Sequence, residues 1–152
     1  MQRALEGNAL VVPMLQDLGQ IYFHGGHYEK ALQALSAGIS AKNPKSQLYL
    51  GRSLMELGRL AEARDTFEDL VHVHPDQTQA YYYLGESSGR LGDMFGAHYN
   101  LGRFYYLKGD SKNAGFDFKR ALNLAVDDTQ KEMVERQLKA LATKNKKKSR
   151  TG

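Results

Sequence analysis

Five histidines and 17 acidic residues are the groups from which this 152-residue sequence would have to build a metal site or an acid–base pair. His24-x-x-His27 and His72-x-His74 are the closest histidine pairs, and zinc would need further ligands converging on either of them. His24 and His27 straddle Gly25-Gly26, which puts them on two sides of a turn. His72 and His74 are two apart on a helical stretch and point about 200° away from each other. Neither pair has a third ligand nearby in sequence, so both are read as exposed or interface histidines. His98 occupies the place of a large packing residue. With no cysteine there is no disulfide, no thiol nucleophile and no thiolate zinc site. The phosphate-cradling Gly-Lys-Ser/Thr loop and His-Glu-x-x-His are both missing, and the glycines are periodic in the way helix packing demands. Asp127-Asp128 falls where a helix start attracts negative charge, which explains it without chemistry. The expectation is a non-catalytic chain with no metal and no cofactor.

Binding is the remaining class. The formal charge of +4 suggests nucleic acid until it is located along the chain. Lys144, Lys146, Lys147, Lys148 and Arg150 account for five of the 21 basic residues, which leaves 16 against 17 acidic ones. A nucleic-acid footprint spreads over a folded face with aromatic residues interleaved, so none is expected here. No apolar run approaches the roughly 18 residues of a membrane span, and the N-terminus lacks a secretory-signal pattern, so no membrane insertion is expected. With 41% hydrophobic and 25% charged residues, the composition is that of one soluble globular domain.

The elements that position any binding residues come from an internal repeat. Leu-Gly, six residues, Gly, four residues, Ala occurs four times: Gly19/Gly26/Ala31, Gly51/Gly58/Ala63, Gly85/Gly92/Ala97 and Gly102/Gly109/Ala114. Gly19 to Gly51 is 32 residues and Gly51 to Gly85 is 34, the length of two short helices and two turns. The Leu-Gly glycines are predicted where a second helix comes close. Gly26, Gly58, Gly92 and Gly109 are predicted in left-handed backbone, closing each first helix. Leu35 and Phe67 fill the core from the second helix, and Pro44 and Pro75 stop one hairpin and start the next.

Large residue, Leu-Gly, Tyr, Gly, Ala, aromatic, Ala, Pro is the pattern of the tetratricopeptide repeat (TPR) family. The sequence resembles it through Leu15, Leu18-Gly19, Tyr22, Gly26, Ala31 and Leu35, then Leu50-Gly51, Leu54, Gly58, Ala63, Phe67 and Pro75, then Tyr81, Leu84-Gly85 and Gly92. The resemblance covers about residues 12 to 126. It implies an all-α fold, a TPR-type solenoid of antiparallel helical hairpins. From Gly85 to Gly102 is only 17 residues, so the helix over 95–107 must end one hairpin and begin the next, a half-repeat offset. The predicted organisation is a remnant or partial helix over 1–10, about 3.5 repeats over 11–126, a capping helix over 127–143 and a disordered basic tail over 144–152. The capping helix opens on a capping box, Thr129 to Glu132, and carries an apolar stripe of Met133, Val134, Leu138 and Leu141.

The resemblance also implies a partner, a protein or peptide lying against the first helices on the concave side. Carried over position by position, the expected contacts are Gln16, Gln20, Phe23, His24, Leu48, Arg52, Met55, Tyr82, Glu86, Tyr99, Arg103 and Tyr106. Tyr and Arg suit peptide recognition, while packing against the shared helix is the other use for Tyr82, Tyr99 and Tyr106. Family members that hold chaperone carboxylates use Lys, Asn and Arg where this chain has Gln16, Gln20, Tyr49, Gln79 and Tyr83, so that clamp is missing. Ala97 to Asp110, Lys112 to Ala114 and Phe118 to Leu122 look like the carboxyl-terminal TPR tail of bacterial His-Glu-x-x-His zinc metalloproteases. That narrower resemblance implies a periplasmic accessory domain docked on an upstream protease domain. A free-standing cytoplasmic adaptor, or a subunit whose partner completes the first hairpin, are the alternatives.

Overall fold

A computed structural model describes residues 2–38 and 43–152, with side chains from Leu10 onward. Among the described residues there are eight helices and no strand: α1 (Gln2–His24), α2 (Tyr28–Ala37), α3 (Pro44–Glu56), α4 (Leu60–Val73), α5 (Thr78–Arg90), α6 (Met94–Lys108), α7 (Ser111–Leu124) and α8 (Asp128–Arg150). The chain divides into two compact units, Met1–Gln77 with α1 to α4 and Thr78–Gly152 with α5 to α8. The all-α architecture of antiparallel hairpins is as the repeat requires.

One packing device builds every hairpin. A Cβ placed on Gly19 would strike the Leu35 side chain, on Gly51 the Phe67 ring, and on Gly102 the Phe118 ring. At Gly85 it would meet the Ala97 carbonyl oxygen at 3.0 Å and Leu101 Cγ at 3.0 Å. In each case the filling residue lies sixteen positions after the glycine. The missing Cβ lets a large side chain from the second helix reach the first. Phe67 and Phe118 become fully buried, a contribution of about 1.5–3 kcal/mol each. Ala31, Ala63, Ala97 and Ala114 are buried beside them, small because the crossing is close.

The turns repeat as faithfully. Gly26, Gly58, Gly92 and Gly109 have φ of 75°, 74°, 87° and 79°, the left-handed backbone expected of them. The amide after each glycine donates to a carbonyl five residues back, as from His27 to Tyr22 at 2.8 Å and from Asp110 to Tyr105 at 2.9 Å. Each glycine amide donates three residues back, which completes a Schellman closure.

α6 does double duty. Its Leu101 fills the space at Gly85 of α5, and the next residue, Gly102, receives Phe118 of α7. Beyond α7, Val134 and Leu141 of α8 are buried against Ala114, Phe118 and Ala121, with Leu138 packed beside them. Val134, Leu138 and Leu141 of the expected stripe thus face this core, and Met133 is half-buried.

Several local expectations are corrected. Residues 2–10 are the first turns of α1, which runs on through Pro13 as one helix. The cap of α8 is Asp127, whose carboxylate accepts the Gln130 amide at 2.8 Å, in place of Thr129. Gln130 Oε1 accepts the Val126 amide at 2.9 Å, the return bond expected of Glu132. Aspartate one residue outside the helix reaches that amide with its short carboxylate. Pro44 does take the first position of α3, behind the Asn43 cap, whereas Pro75 lies in the turn before α5. The segment over 144–150, expected to be disordered, continues α8 as helix. It contains no glycine or proline, and Lys147, Lys148 and Arg150 sit in the last turn, where cations complement the helix dipole.

Candidate functional site

In the first unit, α1 and α3 bring together an aromatic cluster with one guanidinium over it. His24 Nε2 lies 3.1 Å from Tyr49 Oη, and the Tyr49 ring meets Phe23 edge-on at 5.2 Å. The Arg52 guanidinium carbon stands 4.5 Å from the Phe23 ring centre and 5.4 Å from that of Tyr49, cation–π geometry to both. His24 is exposed, Arg52 and Tyr49 are half-buried, and Phe23 is buried beneath them.

The other positions expected on this face separate. Gln16 is buried, donates to the Gly38 carbonyl at 3.2 Å and accepts from Asn43 Nδ2 at 3.2 Å. It ties the end of α2 to the cap of α3, so it is corrected from a ligand contact to an internal brace. Met55 and Phe23 are buried, also corrections, because helix packing closes over Met55 and because Arg52 and Tyr49 cover Phe23. Gln20 and Leu48 are half-buried.

The second unit gathers a larger polar constellation between α6 and α8. Arg103 donates to Gln137 Oε1 at 2.7 Å and to Tyr81 Oη at 3.5 Å, and it stands over the rings of Tyr81 at 5.2 Å and Tyr106 at 5.9 Å. Its hydrogen-bond partners among the described residues are neutral, so its charge is uncompensated at contact range. Lys144 Nζ donates to the Tyr106 carbonyl at 3.0 Å and sits 4.3 Å from the centre of the Tyr106 ring. Tyr99 packs on Phe95 at 6.0 Å and Phe118 at 6.3 Å. Burial holds its hydroxyl above the ordinary tyrosine range, against the opposing pull of Arg103, Gln137 and Arg136.

Tyr82 and Glu86 sit one turn apart on α5 and are exposed, with Tyr82 against Phe104 at 5.4 Å. Tyr82 therefore joins a different face of α6 from Tyr99, Arg103 and Tyr106, which follow each other at i, i+4 and i+7. His98, expected to be packed, is partly buried and bonds Asp117 at 2.8 Å. His24 is engaged with Tyr49 and His27 meets Tyr22 edge-on.

Residues that the sequence did not single out for this role complete both sites. Tyr49 was considered only for the chaperone clamp, and Gln137, Arg136 and Lys144 come from the capping helix. Arg136 and Gln137 lie on the predicted capping helix, and for Lys144 the available signal is helical spacing that continues past Thr143. Among the described residues, no three His, Cys, Asp or Glu side chains converge to hold a metal, and no helix is long and apolar enough to cross a membrane.

Models described as tetratricopeptide repeat match residues 12–45, 48–94 and 95–127. No curated protein matches the chain. Among solved structures, the crystal structure of MamA superposes with a TM-score of 0.66 at 17% identity, covering 98% of this chain and 86% of that one. The TPR domain of Sgt2 from Aspergillus fumigatus gives 0.61 at 18% identity, covering 89% and 82%. The first TPR of Spaghetti (RPAP3), bound to the HSP90 peptide SRMEEVD, gives 0.50 at 20% identity, covering 88% and 94%. At these identities the likeness is one of fold.

Proposed function

The chain belongs to the tetratricopeptide-repeat family, and from that premise we propose that it is a non-catalytic module that holds a protein or peptide, serving as the accessory tail of a bacterial zinc metalloprotease. The binding role is supported by aromatic rings under guanidinium groups in each unit, at Phe23–Tyr49–Arg52 and at Tyr81–Arg103–Tyr106. The half-buried members of these groups, Tyr49, Arg52, Arg103 and Tyr106, are of the residue types that carry interface energy, held in place by the buried rings of Phe23 and Tyr81. A solved neighbour, the first TPR of Spaghetti, holds a peptide, which fits the same use of the fold.

The docking role rests on one observation in α1. Val11, Met14, Leu18 and Ile21 form a stripe on one helical face and are 47%, 68%, 38% and 65% exposed. At the positions of Met14, Leu18 and Ile21, α3 carries Ser46, Leu50 and Ser53, all buried, and α3 packs on α2. At two of these three positions the stacked helix thus has serine, while α1 offers Met14 and Ile21 to a partner at wider spacing. A metalloprotease domain fits that description.

Co-elution of the chain with a separately produced protease domain of that class, from the same genome, tests the assignment. Binding that is lost in the double variant Met14→Asp/Ile21→Asp, with the helical signal retained, is the expected result. Co-elution unaffected by the pair sinks the docking role. The 3–4–3 spacing of the stripe also reads alike in both directions, which would let two copies pair antiparallel. Light scattering on the isolated chain separates that reading, since only self-pairing doubles the mass.

A further inference from the structure

The cleft between Tyr106 and the last four turns of α8 has no role in the hairpin architecture. It is lined by Tyr106, Arg136, Lys139, Thr143, Lys144 and Lys147. Among the described residues none of its four cations is ion-paired: the ion pair found on α8 joins Lys131 to Asp128, a turn or more away. Glu132 and Glu135 stand one turn before Arg136 and Lys139, yet none of the four cations is neutralised at contact range, and clustered like charges cost free energy that an entering anion relieves.

The cleft is also organised. Lys144 is fixed by the Tyr106 carbonyl at 3.0 Å and by the Tyr106 ring at 4.3 Å, so its ammonium is positioned before any ligand arrives. Arg103, bonded to Gln137 at 2.7 Å, extends the positive field along α6. Arg136 to Lys147 spans eleven residues of helix, about 16 Å at 1.5 Å per residue. That length matches roughly five residues of extended chain at about 3.3 Å each.

We propose that this cleft binds an acidic peptide segment, with Arg136, Lys139, Lys144 and Lys147 pairing the carboxylates on its near side while Tyr106 forms the floor. The proposal rests on the reading of the chain as a peptide-binding module and adds the ligand's charge and its place. Nucleic acid is the weaker fit. The Tyr106 ring is already covered by Lys144, so it is not free for a base, and beyond the four cleft cations the chain has 17 basic against 17 acidic residues.

The test uses the whole chain and fluorescein-labelled hexapeptides of glutamate, glutamine and lysine, read by fluorescence anisotropy. The glutamate peptide should bind, the other two should not, and affinity should fall in about 0.5 M salt. Lys139→Glu/Lys147→Glu should weaken it roughly tenfold or more with the circular dichroism spectrum unchanged. Lys131→Glu, which lies outside the cleft, should lose far less. Equal loss in both variants would reduce the effect to general charge and overturn the cleft. Tighter binding of a single-stranded RNA hexamer, or of phosphatidylserine vesicles, than of the glutamate peptide would overturn the peptide assignment. If peptides selected from a random library bind but show no acidic preference, this inference fails and the module reading stands. If the library yields no binder, the module reading itself fails.

Discussion

At the scale of single residues, the glycines divide by what surrounds them, and so should their replacement costs. A side chain at Gly85 would run into the Ala97 backbone carbonyl, which cannot rotate aside, whereas a Cβ at Gly89 meets only Ala97 Cβ at an ordinary 3.5 Å. Gly85→Leu should therefore unfold the second unit or cost about 1–3 kcal/mol or more, and Gly89→Ala should be neutral or stabilising by about 0.5–1 kcal/mol through helix propensity. Urea melts of the two variants check this. Asp117 is buried with its carboxylate on His98, so Asp117→Ala leaves a polar ring nitrogen without its partner and should cost about 1–3 kcal/mol in the same melt. Asp110 caps α7, and the Asn113 amide and side chain hold its carboxyl below the ordinary range. A lowered folded value means that the cap's stabilisation is present above the unfolded value and is lost as the pH falls through the folded one. Acid melts should show that loss, and Asp110→Asn, which keeps an accepting oxygen, should flatten it.

At the scale of elements, the turns and crossings were legible because they depend on the absence of a Cβ, which a sequence records directly. Gly26, Gly58, Gly92 and Gly109 needed left-handed backbone, and Gly19, Gly51, Gly85 and Gly102 needed room, whatever the partner. The ligand-facing residues were less legible, because position in a repeat gives direction from the helix axis but not cover. Gln16 and Met55 occupy places from which a side chain can reach a ligand, yet local packing closes over both. Lys144 was hidden for the opposite reason: a run of lysines has no apolar periodicity, and its contact with Tyr106 spans 38 residues of chain. Truncation after Thr143 should remove that contact, reduce the helical signal by the share of residues 144–150 and leave the buried Val134–Leu141 stripe in place. Circular dichroism of the truncated chain measures it.

At the scale of the whole molecule, charge and packing act on different observables. The Arg59–Glu62 and Lys131–Asp128 ion pairs are exposed, so screening them with salt should move the melting temperature little. Calorimetry at low and high salt checks this expectation. Stability comes instead from the repeated glycine and filler, and α6 uses that device twice on consecutive residues, Leu101 as filler and Gly102 as hole. An array of separate hairpins gains or loses length by duplicating or deleting one of them, about 34 residues at a time. Such an event at α6 would strip a lining from the hairpin on one side or the other. Gene-level growth and shrinkage are thus barred here, and over evolutionary time this half of the molecule should hold its helix number while the hairpins of the other half remain exchangeable.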